Sequence, residues 1–126
     1  MSHFSTIKTQ YNNRKVLLQS LKNMGLKVTE HQQPVQLNTT WSSQGVAHLV
    51  VERSQINSSS DIGFLYEENT YKLVCDDYDL RRSKLPNFKQ ELGTNYAVAT
   101  AQRLGYRVKQ QETINGQVQI TLRGKR

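Results

Sequence analysis

The chain of 126 residues has one cysteine, one tryptophan, two prolines and no apolar run near the roughly 20 residues that cross a bilayer. One cysteine excludes a disulfide framework and suits a reducing compartment. The opening Met1-Ser2-His3-Phe4-Ser5 lacks the charged-then-apolar layout of a signal peptide. Also missing are a glycine-rich loop ending in Lys-Ser/Thr, G-x-G-x-x-G, His-Glu-x-x-His and Cys-x-x-Cys. No pattern for cradling phosphate or binding zinc is therefore present, and no cofactor or small-molecule substrate is expected. Hydrophobic residues make up only 36%, yet they recur periodically, which argues against disorder. The expectation is one soluble, intracellular domain over residues 1–126 with no membrane span.

Positive charge is abundant and unevenly spread. Residues 1–80 hold seven Lys/Arg against eight Asp/Glu, whereas residues 81–126 hold ten against two. The net charge of +7 thus belongs to the last third. Before it lies an acidic stretch, Asp61, Glu67, Glu68, Asp76, Asp77 and Asp79, relieved only by Lys72. Either the basic third attracts an anionic partner, or the acidic stretch neutralises it within the fold.

Residues 3–9 read as a strand, followed by Asn12 and Asn13 as helix caps. Leu17, Leu21 and Met24 fall on one helical face, and Gly25 stands where the helix must stop. Residues 26–33 read as a strand halted near Pro34, and residues 38–45, with Trp41, as a loop. Residues 46–53 form a strand with Ala47, Leu49 and Val51 on one side. Residues 54–60 read as a flexible loop, and residues 62–66 and 71–75 as a hairpin. Pro86 opens a second helix carrying Phe88, Leu92 and Tyr96 on one stripe and Ala97, Ala101 and Leu104 on the next. Gly93 threatens to bend that helix and Gly105 ends it. A final hairpin turns at Asn115-Gly116, and a three-residue loop with a glycine bulge would pair Ile114 with Val118. Met24-Gly25-Leu26-Lys27-Val28 and Leu104-Gly105-Tyr106-Arg107-Val108 share one pattern, as short helix-Gly-strand corners do. Together these give an α+β fold, rich in hairpins. A mainly antiparallel sheet carries two helices on one face, in the spirit of ferredoxin-like domains.

No residues assemble into an obvious catalytic set. His3, His31 and His48 each stand alone in expected strands, and no metal site is expected. Cys75 is flanked by Asp76, Asp77 and Asp79, which disfavour a thiolate, so it reads as a small core residue. The acidic run could hold a hard cation or, more simply, pair with Arg81 and Arg82. Ile62-Gly63-Phe64-Leu65-Tyr66 superficially matches an RNA-recognition strand, but Asp61, Glu67 and Glu68 would repel phosphate. The better basic surface is Arg103, Arg107 and Lys109 with Arg123, Lys125 and Arg126, to which Tyr106 adds a stacking face. Trp41 could anchor a protein partner or fold back on the sheet.

The opening decapeptide Met1-Ser2-His3-Phe4-Ser5-Thr6-Ile7-Lys8-Thr9-Gln10 resembles the start of the hypothetical chloroplast reading frame number 35 family. Asp61-Ile62-Gly63-Phe64, Tyr71-Lys72-Leu73-Val74-Cys75-Asp76 and the closing segment from Gly105 to Leu122 are similar too. Asp77-Tyr78 departs from the aromatic residues expected there. The resemblance implies a plastid or cyanobacterial protein: stroma in an alga, cytoplasm in a cyanobacterium. It carries no catalytic residue, cofactor or substrate. The reading that follows is a non-enzymatic macromolecule-binding protein of assembly or regulation, with a protein or ribonucleoprotein partner. The alternatives are RNA or ribosome association through the basic surface, or an enzyme resting on Asp76, Asp77, Asp79 and His48.

Overall fold

The computed structural model describes residues 4–39, 45–114 and 117–123. The chain runs β1 (Phe4–Tyr11), α1 (Arg14–Asn23), β2 (Thr29–Gln36), β3 (Val46–Val51), a 3-10 turn (Arg53–Ile56), β4 (Ile62–Glu67) and β5 (Thr70–Asp76). It continues through α2 (Asp77–Arg81), α3 (Phe88–Arg103), β6 (Arg107–Ile114) and β7 (Gln117–Arg123). Five strands form one antiparallel sheet in the order β1-β5-β4-β3-β2, and β6 and β7 form a separate hairpin beside α3. This is the expected α+β class. His3, Trp41, Asn115, Gly116, Lys125 and Arg126 lie outside the described residues.

Local chemistry sets the helices. The Asn13 side chain accepts the Val16 N–H at 3.1 Å, opening α1 as anticipated. Leu17 and Leu21 point into the core with Phe88 and Leu92 of α3, against Leu49, Val51, Phe64, Leu73 and Cys75 of the sheet. Each fully buried side chain of this size contributes about 1.5–3 kcal/mol. Gly93 does not split α3, which runs unbroken for 16 residues. Both helices end in the same way. Gly25 and Gly105 take φ +82° and +93°, and Leu26 and Tyr106 N–H reach back to the carbonyls of Leu21 and Ala101 at 3.0 Å. Such a left-handed exit closes the orphan carbonyls of a helix end.

Several strand limits differ from expectation, each for a tertiary reason. β2 runs through Pro34 because it is an edge strand, where a missing N–H costs no ladder bond; its pairing with β3 also shifts between Glu30 and Val35. Ala47 does not share a face with Leu49 and Val51. It packs with Leu37, Val50 and Val74 on the opposite side of the sheet. At the break, His48 Nδ1 accepts the Tyr66 N–H at 3.0 Å, replacing a ladder bond. The stretch expected as a flexible loop holds the 3-10 turn, fully buried Ile56 and a bridge from Ser60 to Thr39.

The β4–β5 hairpin is tighter than the four-residue loop expected. Glu67 pairs with Thr70, and Glu68 and Asn69 take φ +53° and +64°, the mirror-image turn that matches strand twist. In the last hairpin Ile114 pairs with Gln117, not with Val118. The register shift occurs further down instead. Val108 opposes Leu122 and Gln110 opposes Thr121, leaving Lys109 as the extra residue of a bulge. The bulge thus brings Val108 opposite Leu122, the realignment a longer turn would otherwise have supplied.

Candidate binding surface

The sequence-predicted basic residues begin at the C-terminal end of α3 and continue into β6 and β7. Arg103 is exposed in the last helical turn, where a cation complements the helix dipole. Tyr106 is half-buried just past the Gly105 corner. Arg107 begins β6, Arg123 ends β7, and the register sets them directly opposite one another. Like charges directly opposite one another are unfavourable on a strand pair. Lys109 is the bulged residue two positions on. Lys125 and Arg126 lie outside the described residues, and the one juxtaposition that the backbone register gives among these positions is Arg107 with Arg123.

The acidic stretch is committed elsewhere. Asp61, only 3% exposed, accepts the Asn38 and Arg53 N–H groups at 2.8 Å each and ties two loops together. Asp76 caps α2 by accepting the Asp79 N–H at 3.0 Å. Asp79 accepts from Ser60 Oγ, and Ser60 Oγ bonds Thr39 Oγ1, a buried polar chain invisible in the sequence. Glu67 and Glu68 bracket Lys72, whose side chain is 9% exposed. Asp77 pairs with Lys89 at 2.6 Å. Arg82, one of the two arginines expected to pair with this run, donates to Tyr78 Oη at 2.8 Å and lies over that ring. Lys89, one of the cations beyond residue 80, is thus tied into the acidic stretch.

Three of the groups named for the enzyme alternative take part in structural hydrogen bonds. Asp76 and Asp79 cap and brace, and His48 Nδ1 is taken by a backbone N–H. Among the described residues no three or more His, Cys, Asp or Glu side chains converge as metal ligands. Burial, with the Asp77 carboxylate beside it, pushes the Cys75 thiol up to about 12, so the sulfur stays protonated and is a poor nucleophile.

A feature that sequence reading missed lies on the flank of α3. Ala97 and Ala101, one turn apart, floor a groove of about 400 Å³ between the Tyr11–Tyr96 ring pair and Leu104 with Tyr106. The two tyrosine rings sit 4.7 Å apart, Tyr96 Oη accepts the Asn13 N–H, and burial raises the Tyr11 pKa. Leu104 is 58% exposed. The helical stripe Ala97, Ala101, Leu104 was visible in the sequence, but nothing there tells a core stripe from an uncovered one.

A family model described as "Protein of unknown function (DUF1257)" matches residues 20–121. The chain belongs to this family. The family's span takes in the groove apart from Tyr11, and the basic residues Arg103, Arg107 and Lys109. No curated protein and no solved structure matches the chain. No helix among the described residues is long and apolar enough to cross a membrane.

Proposed function

We propose that this protein is a small non-enzymatic binding module of assembly or regulation that engages an anionic macromolecule through the basic end of α3 and the β6–β7 hairpin. The observation that carries the reading is the register of Arg107 against Arg123. Like charges at opposed positions of a strand pair are unfavourable, and an anionic partner relieves that repulsion. The commitment of the acidic stretch to caps and to Lys72 and Lys89 supports the same reading, since it leaves the basic third to attract a partner. The resemblance to the chloroplast reading frame family favours the plastid stroma, or the cytoplasm of a cyanobacterium, as the place of action.

Arg107→Glu tests this cleanly. It converts a like-charge pair into an opposite-charge pair, so the hairpin should gain about 0.2–1 kcal/mol while partner binding is lost. Affinity purification from stroma or cyanobacterial lysate, with mass spectrometry of samples with and without RNase, reads the binding. Wild-type partners that survive RNase and vanish for Arg107→Glu support the module. Identical partners for both proteins would refute it. RNA is the second reading, favoured by Tyr106 standing next to Arg107 as a stacking face. It predicts partners that disappear with RNase and an affinity that falls steeply with salt.

A further inference from the structure

Building on that reading, we infer that the groove on α3 receives an acidic amphipathic helix of a partner protein. The floor, Ala97 and Ala101, is small enough to admit another backbone closely, and their one-turn spacing matches the ridges of a second helix. From Ala97 to Leu104 the stripe is about 10 Å long, or two turns at 1.5 Å per residue. An occupant would therefore set two or three apolar side chains, spaced i, i+4 and i+7, between the Tyr11–Tyr96 pair and Leu104.

Charge selects among occupants. Arg103 lies one turn beyond Thr100 on the same helix, and the chain passes from Tyr106 directly into Arg107 with Arg123 opposite. A second copy of this chain, docked symmetrically, would press basic third against basic third. An acidic helix meets the cations with its polar face and the groove with its apolar face. A nucleic acid would use the cations and Tyr106 but gain nothing from Ala97, Ala101 and Leu104. Thr100 also lines the groove, with its hydroxyl turned out of reach of water. Thr94, a turn and a half earlier, back-bonds to the Gln90 carbonyl at 3.0 Å, whereas Thr100 Oγ1 is shielded from water and has no partner among the described residues.

The test uses the full chain and fluorescein-labelled peptides of about 18 residues, long enough to form helix on a surface. One peptide carries Leu on one helical face and Glu on the other. A second has the same composition in scrambled order, and a third probe is labelled poly(U). The patterned peptide should bind at least about tenfold more tightly than the scrambled one. Leu104→Ala and the groove-filling Ala97→Phe should each weaken it about tenfold. Both positions are exposed, so the fold should tolerate these changes. Equal binding of patterned and scrambled peptides, or indifference to both substitutions, would overturn the groove. Binding of poly(U) alone, unaffected by Leu104→Ala, would also overturn it yet leave the basic-end reading standing. Failure of every anionic probe would sink both.

Discussion

At the end of α1, Gly25 turns the chain out of the helix, Leu26 N–H closes on the Leu21 carbonyl, and Leu26 is left 8% exposed. At the end of α3, Gly105 and Tyr106 repeat the same hydrogen bonds, but Leu104 is 58% exposed and Tyr106 half-buried. The shared pattern apolar-Gly-apolar-basic-Val produces the same backbone twice. It does not decide what the apolar side chains touch. At the first corner they join Leu17, Leu21, Phe88 and Leu92 in the core; at the second they wall a groove beside the most basic part of the chain. Local sequence determines the turn, and the neighbours determine its use.

That contrast can be broken by substitution. Leu26→Ala should cost about 2–3 kcal/mol in urea unfolding, and Leu104→Ala no more than about 0.5. Comparable losses would mean that the second corner is as much core as the first. The core side can be sharpened with pH. The Cys75 thiol, in the cluster that Leu26 closes, ionises near 9 when unfolded but only near 12 when folded. The unfolded chain therefore releases this proton first. The thiol's contribution is fully present below pH 9 and is lost as pH rises towards 12, on the order of 2 kcal/mol by pH 10.5. Cys75→Ala should accordingly lose stability less steeply over this range, as alkaline denaturation curves would record. Smaller again are Gly25→Ala and Gly105→Ala. Neither new methyl meets an atom within 4 Å, so each should cost only the left-handed strain of about 1 kcal/mol, equally at both corners.

What could be read beforehand was what neighbours in sequence dictate: the Asn13 cap, the Leu17–Leu21 and Phe88–Leu92 stripes, both glycine corners and the β4–β5 hairpin. The misreadings share a different origin. Pro34 stops a central strand but not an edge strand, and edge position belongs to the sheet rather than to the segment. Ala47 changes face because β3 is irregular at His48, and Lys109 bulges so that Val108 meets Leu122. For the binding surface, the abundance of cations beyond residue 80 was legible because charge counts survive without a fold. Their opposition as Arg107 and Arg123, the burial of Asp61, Asp76 and Asp79, and the exposure of Leu104 all required tertiary knowledge.

The strand order carries a consequence for biosynthesis. With every ladder antiparallel, β1 and β2 run the same way at opposite rims of the sheet, joined by α1 across its whole width. β1 finds its ladder partner, β5, only after residue 76, where Phe4 meets Asp76. A chain emerging from the ribosome can zip β2, β3 and β4 sequentially while β1 waits, unpaired, for the strand that closes the far rim. Arrested chains ending at Asn69 should hence be clipped by protease within β1, and chains reaching past α3 should be protected there.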